Sequence, residues 1–355
     1  MAAPSSPARR AAVVYNPVKV DVAELRTAVD AAAAEAGWGE TIWLETSVED
    51  PGIGQAREAA AQGADVVLAA GGDGTVRAVA EGLRDTGAAL ALLPSGTGNL
   101  LARNLELTLN NLGDSVRTAF AGKDRAVDLG IAELRREDGT VEEHAFLVMA
   151  GIGIDAKMVA NSDEGLKKKV GWLAYIDAIR KAVRDSNSMR VKFRLEDGPT
   201  KSMTAHTVLV GNCGSLPGNI LLLPEAAVDD GLFDIISLRP ESFVGWAQVW
   251  VKIFWENGVL RRSQVGRKLM GMTREVRALR YLKAARFELI LDHPEEFELD
   301  GDDFGMVTGF RCTVDAGAVR IRIPEDQEID SADPAETEAA LEASREAVAE
   351  AEPAS

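Results

Sequence analysis

Cysteine, histidine and tyrosine are scarce in this chain. Its two cysteines, Cys213 and Cys312, cannot build a disulfide framework, which suits a reducing cytoplasm. The three histidines, His144, His206 and His293, lie far apart and lack metal-ligand spacing. No apolar run approaches the ~20 residues needed to span a bilayer. The opening MAAPSSPARR is polar and has no apolar stretch behind it, so residues 1–10 are expected to be a flexible N-terminus and not a signal peptide. The chain also lacks the lysine of a P-loop and the spacing of a dinucleotide-binding G-x-G-x-x-G loop. These absences exclude a disulfide-stapled secreted domain, a zinc protein and a membrane-spanning protein. A cytoplasmic chain that at most lies on a membrane surface is expected.

Positive charge is also in deficit. The net charge is -17 over 355 residues. It is unevenly spread: Glu325–Ser355 holds 11 acids and one base, Arg345. That tail is rich in Ala and Glu and reads as disordered or weakly helical, because it can bury little apolar surface. An acidic chain is a poor partner for nucleic acid, whose phosphates attract basic surfaces.

What is present begins with an alternation of strands and helices. Ala11–Tyr15 is a short apolar strand. Val22, Leu25, Val29, Ala33 and Ala36 recur at helical spacing, and Gly37 stops that helix. Thr41–Leu44 reads as a strand, Gln55–Gln62 as a helix and Asp65–Ala70 as a buried strand. Val76, Val79, Ala80 and Leu83 mark another helix, and Ala89–Leu93 another strand. This rhythm predicts a parallel α/β domain over 11–126. Beyond it, short strand-like runs follow one another: Phe146–Ala150, Arg190–Leu195, Thr204–Val210, Phe233–Leu238, Arg286–Leu291, Phe310–Val314 and Val319–Ile323. They predict an antiparallel β-sandwich over 127–324, whose last strand can return to the first domain. Helical segments are expected at Lys167–Arg184 and Ser242–Asn257.

Two glycine loops carry the chemistry. Gly71-Gly72-Asp73-Gly74-Thr75 lies between a buried strand and a helix. Glycines let backbone N–H groups approach a polyphosphate, and the helix N-terminus adds a partial positive charge. Thr75 offers a hydroxyl, and Asp73 a carboxylate for Mg2+ or a proton. The plain alternative is a tight strand-to-helix turn with no ligand. A second loop, Pro94-Ser95-Gly96-Thr97-Gly98-Asn99, follows the next strand. Two such loops at the ends of successive parallel strands would face one crevice.

The sequence GGDGT followed by PSGTGNLLARNL resembles the catalytic domain of the diacylglycerol kinase and sphingosine kinase family, and its bacterial branch in particular. AGIGIDAKMV, LVGN, LLPEAAVDDGLFDIISL and LDGDD, in that order down the chain, are similar as well. The resemblance runs from about Ala11 to Ile323. It implies a nucleotide domain followed by a β-sandwich, with ATP in the cleft, and a transfer of phosphate to a lipid hydroxyl, diacylglycerol first. It places ATP contacts at Asn16, Pro17, Thr46, Gly71, Gly72, Asp73, Gly74, Thr75, Val76, Arg77, Gly96, Thr97, Gly98 and Asn99. The family's first loop usually reads NP-x-S/T-G, whereas here Lys19 and Val20 close Asn16-Pro17-Val18-Lys19-Val20.

Phosphoryl transfer needs a positioned hydroxyl, charge neutralisation and a proton acceptor. The resemblance implies that Asp230 binds Mg2+, with the backbone carbonyls of Ala227 and Leu232. The plain reading of that segment is an Asp-Gly turn before a strand. Where the family reads D-G-E, this chain reads Asp300-Gly301-Asp302. Asp302 takes the position of the general base, with Asp300 or Asp303 as its nearest substitutes, and Asp73 is the third catalytic candidate.

Two segments suit a lipid surface. Ser242–Asn257 places Trp246, Val249, Trp250 and Ile253 on one helical face. It reads as a core helix or as an interfacial one. Arg261–Arg286 contains nine Lys or Arg and one acid, Glu275. It reads as a solvated face or as a patch attracted to anionic lipid. An NAD kinase, which shares GGDGT, and a non-catalytic nucleotide- or lipid-binding regulator are the alternatives. A homodimer is compatible with the sequence, and so are sphingoid bases, ceramide and other lipid alcohols as acceptors.

Overall fold

The computed structural model describes residues 9–96, 98–153, 188–216, 220–221, 223, 226–239, 279–329 and 333–349. The chain divides into two compact units. The first comprises Met1–Leu129 and Asp315–Ser331, the second Gly130–Val314 and Ala332–Ser355.

The first unit is built on parallel strands. In chain order it contains β1 (Ala11–Tyr15), α1 (Val22–Glu35), β2 (Ile42–Glu45), α2 (Ile53–Ala61), β3 (Val66–Gly71), α3 (Asp73–Leu83), β4 (Ala89–Pro94), α4 (Leu100–Asn104) and α5 (Leu112–Ala121). The sheet order is β2-β1-β3-β4, all parallel. The last residues of the longest described strand add a fifth parallel member through Arg320 and Ile321, which pair with Ala89 and Leu90. Strands β1 and β3 are buried along their whole length, which explains their unbroken apolar sequences. One face packs Val13, Leu68 and Leu93 against Leu25 and Val29 of α1 and Val116 and Phe120 of α5. Alternate residues such as Ala12, Val67 and Leu90 are equally buried and look to the opposite face. α1 starts where it does because the Asp21 carboxylate accepts from the N–H groups of Ala23 and Glu24.

Two strands, β5 (Lys123–Arg135) and the last strand, β16 (Asp302–Ile323), supply residues to both units. The second unit also holds β6 (Val141–Phe146), β7 (Met149–Ile152), β8 (Met189–Leu195), β9 (Lys201–Ala205), β10 (Thr207–Gly211), the two-residue β11 (Ser215–Leu216) and β12 (Ile220–Leu221), β13 (Phe233–Leu238), β14 (Leu279–Ala284) and β15 (Arg286–Leu299). Its pairings are antiparallel. β14-β13-β10-β7-β15 run side by side, β15 pairs with β16, and β8 pairs with β15 and β9. β15 serves two sets of partners. Phe287–Leu291 pair with β8, and Phe297–Leu299 pair with β7. The register against β16 slips between Ile290 and Glu295, and such an irregularity lets one strand turn the corner of a sandwich. Phe146, Phe193, Phe233, Phe287, Phe297 and Phe310 fill the core.

Two of the strand expectations are subdivided. Phe146–Ala150 is the junction of β6 and β7, broken at Leu147–Val148. Thr204–Val210 is β9 followed by β10, with His206 between them. The tail, expected to be disordered or weakly helical, is helical at its centre. Pro334–Ala349 forms a helix, α6, and packs on the edge strand β14. Val348 joins the aromatic core, and the Ser344 hydroxyl accepts from the Lys283 N–H at 2.7 Å. A few apolar positions at helical spacing suffice, because β14 supplies a surface for them and the Lys283 N–H that bonds to Ser344. The expected helices at Lys167–Arg184 and Ser242–Asn257 lie outside the described residues, as does the basic run up to Met272 and on to Ala278.

Candidate active site

The parallel register of the first unit places four loops at one edge. Tyr15 is level with Glu45 and with Ala70, and Gly71 with Pro94. The chain leaves each strand at the same height. Three backbone hydrogen bonds tie the exits together: Asn16 N–H to Ala70 at 2.9 Å, Thr46 N–H to Tyr15 at 3.0 Å, and Ser95 N–H to Gly71 at 3.1 Å. Carboxyl ends of parallel strands are where α/β sheets bind ligands, because the following helices turn their N-termini there.

The first loop is closed by its own residues. The Asn16 side-chain oxygen accepts from Val18 N–H, and the Asn16 carbonyl from Lys19 N–H. Pro17 and Val18 are exposed, while Thr46 is buried. The glycine loop is more constrained. Thr75 is buried directly over Gly71: a Cβ on Gly71 would lie 2.6 Å from the Thr75 side chain. Gly72, Gly74 and Arg77 are half-buried, and Val76 is buried. α3 begins at Asp73, and its N-cap residue Gly72 offers no side chain to the first helical N–H groups.

Asp73 has a defined partner across the loops. Its carboxylate accepts from Asn99 N–H at 2.9 Å and Leu100 N–H at 2.5 Å. It therefore caps α4 from outside and sits between two helix N-termini, both of which favour a negative charge. The contact is so close that glycine is required on the facing loop. A Cβ on Gly96 would lie 2.8 Å from Gly72 Cα, and one on Gly98 would collide with the Asp73 carboxylate. Asn99 completes the second loop from a left-handed backbone (φ 48°), exchanging side-chain hydrogen bonds with the N–H and carbonyl of Gly96. Thr97 lies outside the described residues.

In the second unit the three acidic candidates meet different environments. Asp300 is only 5% exposed, and its carboxylate accepts three backbone bonds, from Leu147, Val148 and Met149, at 2.8–3.0 Å. Its own N–H donates to the Met149 carbonyl. The carboxylate thus organises the break between β6 and β7. Asn212, fully buried, holds the other side of that break by donating from its side chain to Leu147 and from its backbone to Val148. Asp302 is exposed on the same β15–β16 turn, beyond Gly301, whose φ of +89° suits glycine. The pair Asp300 and Asp302 therefore separates into an anchor and an accessible carboxylate.

Asp230 is the third acid. One oxygen accepts from Leu232 N–H at 3.0 Å, and the other lies 3.3 Å from the Lys283 ammonium. Lys283 also lies 3.0 Å from Asp234. The Asp230 side chain is 4% exposed and the Lys283 side chain 12%. Burial works against the Lys283 charge, but the attraction of Asp234 and Asp230 outweighs it and raises the pKa above the usual lysine value. In this geometry the Asp230 carboxylate, expected to hold Mg2+ with the carbonyls of Ala227 and Leu232, is engaged by the Lys283 ammonium and the Leu232 N–H. Neither Asp234 nor Lys283 was legible as a site residue in the sequence. The basic run at Arg261–Arg286 loses a member for the same reason: Lys283 is buried in an ion-pair cluster and cannot contribute to a surface patch. Arg286 pairs with Asp197 at 2.9 Å. Among the described residues no helix is long and apolar enough to cross a membrane.

The family described as "Diacylglycerol kinase catalytic domain" matches residues 10–132, and "YegS C-terminal NAD kinase beta sandwich-like domain" matches residues 147–255. The chain is 36% identical over 232 residues to a Pseudomonas aeruginosa (UCBPP-PA14) protein named "Probable lipid kinase YegS-like", covering 62% of this chain and 70% of that one. It is 26% identical over 309 residues to the Bacillus subtilis (strain 168) protein named "Diacylglycerol kinase", covering 85% and 92%. A solved structure from Bacillus anthracis Sterne, described as a diacylglycerol kinase, shares the fold with a TM-score of 0.60 at 19% identity, covering 90% of this chain and 98% of that one. The parallel nucleotide-type unit, the glycine loops at its strand ends and the sandwich-like unit after it are thus those of a known enzyme class, and the chain belongs to the diacylglycerol kinase and YegS-like family of lipid kinases.

Proposed function

We propose that the protein transfers the γ-phosphoryl group of ATP to the hydroxyl of a lipid, with diacylglycerol as the first acceptor to test. The observation that supports this reading best is the strand-end edge of the first unit. Four loops leave the sheet in one register, and α3 opens there from a glycine with no side chain over its N-terminus.

In this reading the backbone at Gly71–Thr75, with Thr97 and Gly98 of the second loop, cradles the phosphates, while the Gly96 and Asn99 N–H groups hold the loops together. Asp73 holds the two loops at the spacing the polyphosphate needs, and is a positioning residue. Arg77, one turn into α3, balances phosphate charge. Mg2+ carried in with the nucleotide would neutralise the β- and γ-phosphates. The lipid oxygen forms its bond to the γ-phosphorus as the bond to the β-γ bridging oxygen breaks, and ADP departs. Asp302 accepts the hydroxyl proton. Its exposure suits that role, and the three N–H bonds on Asp300 leave that acid to the scaffold.

The test is an incubation with γ-labelled ATP and, separately, diacylglycerol, ceramide, a sphingoid base and NAD. Label in phosphorylated diacylglycerol supports the proposal. Label in another lipid alone keeps the lipid kinase and moves the acceptor. Label in NAD alone, or no turnover with any acceptor, overturns it.

A membrane surface is the natural meeting place, since a diacyl lipid has almost no free concentration in water. The eight basic residues of Arg261–Arg286 other than Lys283 would supply the attraction, at roughly 1 kcal/mol for each one near an anionic surface.

A further inference from the structure

We infer that Lys283 serves as a built-in cation, standing where the family resemblance implies a divalent metal, so that the second unit folds and stays folded without one. The argument is geometric. Asp230 lies just before β13, Asp234 is the second residue of β13, and Lys283 sits directly opposite Asp234 on β14. Cross-strand partners share a face, so the ammonium is delivered between the two carboxylates by the sheet itself. It reaches Asp234 at 3.0 Å and Asp230 at 3.3 Å. The remaining Asp230 oxygen is taken by Leu232 N–H, a donor that competes with any metal for that carboxylate. Lys283 is fixed from its other end as well, because its backbone N–H donates to Ser344 of α6.

Mg2+ requires about six oxygen ligands at roughly 2.1 Å in octahedral array. Here an ammonium already occupies the acidic pocket, and a second cation beside it would meet like charge at low dielectric. Among the described residues no group of three His, Cys, Asp or Glu could hold a metal ion. The proposal concerns this pocket alone and not the metal that accompanies ATP. It therefore stands or falls separately from the kinase reading.

Thermal melting of the full chain without nucleotide or lipid tests it. The wild type should melt at the same temperature, within about 1 °C, in EDTA and in millimolar Mg2+. Lys283→Met should lower Tm by roughly 10 °C in EDTA, since it strands two buried carboxylates. Mg2+ should then recover at least half of that loss and do so progressively with concentration, as linkage to a native-state ligand requires. Adding Asp230→Asn to Lys283→Met should abolish the Mg2+ response. A wild type that is stabilised by Mg2+ by several degrees, with the effect lost in Asp230→Asn, overturns the proposal. So does a folded Lys283→Met whose Tm ignores Mg2+. If Lys283→Met does not fold even with Mg2+, the wild-type and Asp230→Asn melts alone decide.

Discussion

Asp73 in the first unit and Asp300 in the second solve the same problem in different surroundings, and Asp230 solves it in a third way. Asp73 and Asp300 each neutralise their charge on backbone N–H groups of a neighbouring loop. Asp73 does so at a half-buried edge, where it caps α4 from the first turn of α3. Asp300 does so in the interior, on three donors of the β6–β7 break. Asp230 uses a lysine instead. All three stand in motifs that resemble kinase machinery. The comparison teaches that an acid in such a motif is read by its donors and its exposure, since a carboxylate fixed by N–H groups in the interior cannot approach a substrate proton.

The sharpest way to break this comparison is at Asp300 against Asp302. Asp300→Asn should cost about 3 kcal/mol or more, because an amide cannot accept from three converging N–H groups with one oxygen and turns a donor toward them. Asp302→Asn should leave the melting temperature within about 2 °C and lower kcat by on the order of 10²-fold, while Asp302→Glu retains turnover. Calorimetry and steady-state kinetics on the three variants check both halves. Equal stability of Asp300→Asn and Asp302→Asn would remove the distinction between anchor and base.

The next test separates a positioning acid from a catalytic one at Asp73. Asp73→Ala should destabilise the first unit by about 2 kcal/mol, through the lost cap on α4. It should also raise the Kd for ATP, measured by nucleotide titration, together with the loss of turnover. A variant that loses turnover with ATP affinity intact would assign Asp73 to the chemical step. Gly98→Ala probes the same contact from the facing loop, where its Cβ would strike the Asp73 carboxylate, and it should reproduce the weakened ATP binding.

A smaller effect is expected at the edge of the sandwich. Removal of residues 334–355 takes Val348 from the core and Ser344 from Lys283. The melting temperature should fall by roughly 5 °C, with turnover below that temperature largely kept. An unchanged melting curve would mean that α6 adds nothing to the sheet it covers. The smallest effect belongs to the membrane. Replacing Arg261, Arg262, Arg267 and Lys268 together by Gln should reduce sedimentation with anionic vesicles at low salt and leave ATP binding unchanged. Equal sedimentation of the variant and wild type would make the run a solvated face.

The sequence was sufficient for the order and type of most elements of the first unit. Parallel strands buried on both faces announce themselves as unbroken apolar runs, and glycines at their ends mark the loops that helices follow. The motif GGDGT with PSGTGN was sufficient for the family. The tertiary structure alone decided what each acid touches. Asp300 reaches Leu147–Met149 across a separation of about 150 residues, Asp230 reaches Lys283 across 53, and Asp73 reaches Asn99 across 26. No local pattern encodes such pairs, because they depend on strand register, and register is a property of the assembled sheet. The tail shows the same limit in reverse. Its composition gives a helix little reason to persist alone, and contact with β14, including the Lys283 N–H bonded to Ser344, holds Pro334–Ala349 in place.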